Sequence, residues 1–148
     1  MKQAFTCIIA AAIFLGAAVA ADKPLTMKDL PPAVQKAILA QAKGAEVKGL
    51  SKEVENGKTL YEVETLVKGR GRDFILDASG ALVEVEEEVT LDSIPGPAKA
   101  TIQKKAVGGK ITKVETLTKG KTVAYEATID KGGKASEVAV KADGSAAE

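Results

Sequence analysis

The chain has 148 residues, with 21 lysines and arginines against 20 aspartates and glutamates, no histidine, one cysteine and only 3% aromatic residues. A charge balance this close to zero excludes general nucleic-acid binding, which needs a basic excess to displace counterions from phosphates. The absence of histidine removes the commonest general base and metal ligand, so neither an enzyme nor a bound cofactor is expected.

The first segment reads as an export signal. Lys2 supplies a short positive start, Phe5 to Val19 is an almost unbroken apolar stretch, and Ala18-Val19-Ala20 forms a small-residue cleavage box. The apolar run is shorter than the roughly 20 residues of a membrane-spanning helix and lacks a basic stop-transfer flank. Residues 1–20 are therefore expected to be cleaved, giving a periplasmic or secreted protein with no membrane insertion afterwards. Cys7 leaves with them, so the mature chain has neither disulfides nor a thiolate nucleophile.

Beyond the signal, Leu30-Pro31-Pro32 opens a helix, since proline is tolerated in a first turn whose N–H groups have no partner. Val34, Ala37, Ile38, Gln41 and Ala42 then follow the spacing of one buried helical face, and Gly44 stops it. Val47, Leu50 and Val54 predict a strand over about Glu46 to Glu55, and Asn56-Gly57 predicts a type I′ hairpin turn. Tyr61, Val63, Thr65 and Val67 alternate with Glu62 and Glu64, the period of a half-buried strand. After a turn at Lys68 to Gly71, Phe74 and Leu76 face inward. Ala78-Ser79-Gly80 turns into a fourth strand where Val83, Val85, Val89 and Leu91 alternate with Glu84, Glu86 and Glu88.

A second helix is predicted from Ser93 to Ala106, with Ala98, Thr101, Ile102 and Lys105 on its buried face. Strands follow over Lys110 to Leu117, Thr122 to Ile129 and Lys134 to Lys141. The counterpart of the fourth strand is truncated, because Ser145 to Glu148 has no apolar residue larger than alanine.

The two series are copies displaced by 64 positions. Thr26 pairs with Thr90, Pro31 with Pro95, Ile38 with Ile102, Gly44 with Gly108, Tyr61-Glu62 with Tyr125-Glu126, and Gly80 with Gly144. Such internal repetition marks a duplicated supersecondary unit. The expected fold is α+β: αββββ followed by αβββ, antiparallel meanders with the helices packed on one sheet face. The expected domains are 21–91 and 92–148.

The leading Leu-Pro helix, the glycine after it, the Tyr-Glu-Val-Glu strand at 61–64 and Phe74-Ile75-Leu76-Asp77-Ala78-Ser79-Gly80 together resemble the PepSY domain family, in particular its tandem members related in fold to beta-lactamase inhibitor proteins. The resemblance implies non-catalytic modules outside the cytoplasmic membrane, some of them propeptide segments of secreted metallopeptidases. It also implies that Asp77 and Gly80 shape a structural turn. In the second copy Lys141 stands at the aspartate's place, leaving Asp143 beside Gly144 to supply the turn chemistry.

Few residues qualify as sites. Gly57-Lys58-Thr59 and Gly120-Lys121-Thr122 look like the tail of a phosphate loop, but Lys52 and Glu115 occupy the place of the required earlier glycine. Both triplets read as hairpin turns. Arg70 and Arg72, in the densest basic stretch, offer bidentate donors to an acidic partner. Tyr61 and Tyr125 occupy equivalent places, where core packing explains them first and an interface role requires that both lie on the open sheet face. Glu84, Glu86 and Glu88 are weak candidate metal ligands, read first as the acidic solvent face of a strand. The expected function is that of a secreted, non-enzymatic module restraining or regulating an envelope peptidase or other hydrolase through its open sheet face. The alternative is a small-ligand or cation-binding envelope protein using the glutamates of 84–88.

Overall fold

Every secondary-structure element of the second copy lies 64 positions after its counterpart in the first. In the computed structural model, which describes residues 25–147, a 3-10 turn at Met27–Asp29 leads into α1 (Pro32–Gln41), β1 (Glu46–Glu55), β2 (Lys58–Val67), β3 (Arg70–Asp77) and β4 (Leu82–Glu88). A second 3-10 turn at Leu91–Ser93 then leads into α2 (Gly96–Lys105), β5 (Lys110–Lys119), β6 (Thr122–Lys131) and β7 (Lys134–Lys141). The expected signal segment at 1–20 and Cys7 lie outside the described residues. No helix among the described residues is long and apolar enough to cross a membrane.

The described residues divide into two compact units, one ending at Glu87 and the other beginning at Glu88. Within each, consecutive strands pair antiparallel and one helix covers one face, which is the α+β meander read from the sequence. The hairpins are tight for the expected reason. Asn56 and Gly57 (φ 49° and 76°) form one two-residue turn, and Lys68 and Gly69 (φ 53° and 81°) form another. The two Gly-Lys-Thr triplets occupy such hairpins, between β1 and β2 and between β5 and β6.

Each helix seals a separate set of buried side chains. Under α1 these are Leu30, Val34 and Ile38 with Tyr61, Val63, Phe74 and Leu76; under α2 they are Ile94, Ala98 and Ile102 with Val114, Ala127 and Val140. Strand residues two apart, Tyr61 with Val63 and Phe74 with Leu76, supply the first set, as the pleat requires. Lys105, expected on the buried face of α2, is exposed. The neighbouring Thr101 stays on that face because its hydroxyl finds an acceptor in the Gly144 carbonyl at 3.0 Å. The fourth strand ends at Glu88 rather than running to Leu91, which opens the second 3-10 turn.

The turn after β3 locks the helix to the strands, and it is built twice. In the first unit Asp77 N–H donates to Ala81 C=O at 3.0 Å and Gly80 N–H donates to Asp77 C=O at 2.9 Å. In the second unit Lys141 N–H donates to Ser145 C=O at 2.8 Å and Gly144 N–H to Lys141 C=O at 2.9 Å. Gly80 (φ +80°) presses on the α1 backbone, where an added Cβ would stand 2.6 Å from Ala33 O; at Gly144 (φ +83°) it would stand 2.7 Å from Pro97 O. Asp77 Oδ1 accepts from the Ser79 hydroxyl and from the Ser79 and Ala81 amides. In the second copy the carboxylate moves two residues along, and Asp143 Oδ1 accepts from the Ser145 amide at 2.9 Å and its hydroxyl at 2.6 Å. Asp143 thus supplies the side-chain support that Lys141 cannot.

Candidate protein-binding face

The face of the first unit turned away from α1 carries most of its carboxylates. Ser51, Glu62, Ile75 and Glu84 stand opposite one another in a continuous row across β1 to β4. In the next row Gly49 stands opposite Glu64, and Asp73 opposite Glu86; Glu53 stands opposite Leu60 on the other side. The result is a set of six acidic side chains on one face of four neighbouring strands.

Local structure positions each of them. Glu64 is exposed, and its carboxylate lies over the β1 backbone because Gly49 has no side chain: an added Cβ would meet Glu64 Oε2 at 2.8 Å. Asp73 Oδ1 accepts the Thr65 amide at 2.9 Å, while the buried Thr65 hydroxyl donates to Arg72 C=O. The Ser51 hydroxyl donates to Glu62 Oε2 at 3.0 Å. Burial raises the Glu62 carboxyl above the usual carboxylate range; the Ser51 bond opposes that shift, and Glu64, Glu53 and Asp73 add to it through like-charge repulsion. The acidic neighbours of Glu62 thus add to the effect of its burial, and a cationic partner group beside it would relieve that repulsion.

The glutamates expected on the outer face of β4 differ from that expectation in one respect. Glu86 is half-buried and Glu88 exposed, but Glu84 is only 3% exposed. It lies on the face turned away from α1, in the row of Ile75, but like Ile75 (4% exposed) it is covered rather than presented to solvent; a bulge at Val83 between the Leu76–Leu82 and Ile75–Glu84 pairs sets that register.

Of the predicted partner-binding residues, Tyr61 lies beneath α1 at 7% exposure as part of the core. Tyr125 is half-buried and packs on the equivalent cluster in the second unit. Both therefore stand on the helix side, where their packing role was read first, and neither meets the condition set for an interface anchor. Arg72 Nε pairs with Glu87 Oε1 at 3.2 Å, and its guanidinium carbon lies 5.8 Å from the Phe74 ring centroid. This corrects the expected pair of presented arginines: Arg72 is half-buried along the sheet, and only Arg70, beside the Lys68–Gly69 turn, is exposed. The anionic face was missed at the sequence level, although Glu62 and Glu64 already alternated with the core positions.

The second unit does not repeat this face. Glu115 is 6% exposed with Lys113 Nζ at 2.6 Å from its Oε1, and Leu117 and Ala124 are buried opposite each other.

No protein-family model matches the sequence, and no curated protein matches it. Solved structures do match. The chain is similar to a protein assigned to the periplasm of Bacteroides eggerthii, with 14% identity, a TM-score of 0.63, and coverage of 80% of this chain and 86% of that one. It is similar to a DUF2874 family protein from Bacteroides uniformis, with 15% identity, a TM-score of 0.61 and coverage of 80% and 86%. A BLIP-like protein from Bacteroides fragilis matches with 15% identity, a TM-score of 0.55 and coverage of 80% and 84%. At such identities the likeness is one of fold, and the fold of this chain is BLIP-like.

Proposed function

We propose that this protein is an exported, non-enzymatic binding module of PepSY-like type that restrains or regulates an envelope peptidase or other hydrolase through the sheet face left open by its helix. The observation that carries the reading is the carboxylate face of the first unit, with Glu53 and Glu64 exposed and Glu62, Asp73 and Glu86 half-buried. Such a face selects a partner bearing lysines or arginines, and it speeds encounter at low salt. The empty catalytic inventory, with no histidine in the chain, supports a binding role over a chemical one.

The test is affinity capture from the periplasm of the native organism with the wild type and with a Glu53→Lys/Glu64→Lys variant. The wild type is expected to retain a secreted hydrolase and lower its activity, with capture weakening as salt rises; the variant is expected to lose it. Equal capture by both proteins, or a captured enzyme whose activity is untouched, sinks the proposal. An Arg70→Ala arm asks separately whether the hairpin tip contributes.

A second reading has one observation in its favour. Glu86 stands directly opposite Asp73, with Glu84 in the adjacent row, so a divalent cation would be offered carboxylate oxygens there. Calorimetric titration with calcium decides it: the absence of heat at millimolar calcium removes this alternative.

A further inference from the structure

The two units share a plan but differ in chemistry at the end where the helix stops. In the second unit α2 closes on Lys104 and Lys105, and Val107-Gly108-Gly109 turns the chain into β5 at Lys110. Lys131 and Lys134 stand opposite each other across the Gly132-Gly133 turn that joins β6 to β7. Two contacts gather these segments. Lys131 Nζ donates to the Lys105 carbonyl at 3.0 Å, and a Cβ added to Gly109 would stand 2.6 Å from Lys131 Cγ and 2.7 Å from Asp130 O. All five lysines are exposed. Val107, at 73%, is the most exposed large hydrophobic residue among those described.

Acidic groups offset little of this charge. Asp130 is half-buried, stands opposite Lys110 in the ladder and accepts the Gly133 amide at 2.8 Å. Glu137 alternates with Val138, which packs on the core beneath α2, so it lies on the other face of the sheet. The fold does not require the lysines either. The same end of the first unit is built with Ala40, Gln41, Glu46 and Val67 where the second has Lys104, Lys105, Lys110 and Lys131. Lys131 has a structural task, since its ammonium caps a carbonyl in the last turn of α2. For the others packing supplies no reason, and like charges gathered on one end repel unless they meet a negative surface.

We propose that this end of the second unit adsorbs onto a bilayer containing anionic phospholipid, with the lysines over the phosphates and Val107 entering the headgroup region. Lysine is a compact point charge that suits a diffuse anionic surface, whereas docking on individual phosphates favours the planar fork of arginine, which is absent from this cluster. The apolar residue in the middle decides between a membrane and a soluble acidic polymer. A polymer would satisfy the lysines and leave Val107 in water, while a bilayer interface takes both. Adsorption of this kind needs no spanning helix. Each lysine near such a surface strengthens partitioning about fivefold, so the attachment is reversible and salt-sensitive. The inference is independent of the carboxylate face of the first unit.

The test is co-sedimentation of the exported form with vesicles of phosphatidylcholine alone or of phosphatidylcholine and phosphatidylglycerol in equal parts. The protein is expected to sediment with the mixed vesicles at low salt, to be released as salt rises, and to ignore phosphatidylcholine. Lys104→Gln/Lys105→Gln/Lys134→Gln, which spares Lys131 and its bond to α2, is expected to weaken partitioning about a hundredfold with an unchanged urea midpoint. The chain has no tryptophan, so a Val107→Trp variant reports on that position alone. Its emission is expected to move to shorter wavelength on the mixed vesicles, whereas that of Lys43→Trp, at the equivalent place in the first unit, stays fixed. No sedimentation, or equal sedimentation of wild type and the triple variant, overturns the proposal. Vesicle binding without the Val107→Trp shift, or tighter binding to soluble dextran sulfate than to vesicles, also overturns it, by making an acidic polymer the partner.

Discussion

Substituting alanine for Gly80 separates the two costs that the turn after β3 would impose on a side chain. Gly80 has φ +80°, a left-handed conformation that costs an L-residue roughly 1–2 kcal/mol. The new Cβ would also stand 2.6 Å from Ala33 O and 2.9 Å from Ala33 C, which are backbone atoms of α1 and unable to swing aside. Overpacking of this kind costs about 1–3 kcal/mol. Against these, alanine narrows the unfolded ensemble, a gain of about 0.4–1 kcal/mol. Gly69 is the internal control, since its φ is +81° and nothing lies within 4 Å of an added Cβ. The strain and unfolded-state contributions cancel between the two variants, so Gly80→Ala is expected to be less stable than Gly69→Ala by the packing cost alone, about 1–3 kcal/mol. Urea denaturation with a shared slope measures the difference. Gly144→Ala is expected to behave like Gly80→Ala, because its Cβ would stand 2.7 Å from Pro97 O. Indistinguishable midpoints for Gly80→Ala and Gly69→Ala would refute the claim that the turn is wedged against the helix.

Further outcomes follow from the core and the carboxylates. Phe74→Ala, at a fully buried position, is expected to cost about 3–5 kcal/mol in the same denaturation assay. Glu62 has a carboxyl raised by burial, so the folded state holds its proton more tightly than the unfolded state. Its contribution is greatest at low pH and is lost as pH rises above the ordinary value of 4.5 through the raised one. Glu62→Gln is therefore expected to flatten the fall in melting temperature over that window. Asp77 and Asp143 act in the opposite direction, each lowered chiefly by the hydroxyl of the serine two residues on. Their stabilisation is present above the ordinary value of 3.8 and is lost as pH falls through the depressed one, so Asp77→Ala and wild type are expected to converge in melting temperature under strong acid.

The recurrence at 64 positions was legible because it needs only comparison of the chain with itself, and it placed both helices, the hairpins and the paired glycines. Local chemistry carried these features: proline in a first helical turn, positive φ at Asn56-Gly57 and Lys68-Gly69, and alternation along β2. The anionic face was not legible. Glu53, Glu62, Glu64, Asp73, Glu84 and Glu86 lie on four strands, and only the register of each ladder brings them together. Arg72 could not be told from Arg70 for the same reason, since its partner Glu87 comes from the next strand.

The sequence by itself determined the repeat, the element order and the absence of histidine chemistry, because periodicity, turn residues and composition act over a few neighbouring positions. Tertiary structure alone decided that Tyr61 faces the helix and that Glu84 is buried. Those outcomes depend on which distant strand supplies the opposite residue, and pairing over such separations is settled only when the whole ladder forms.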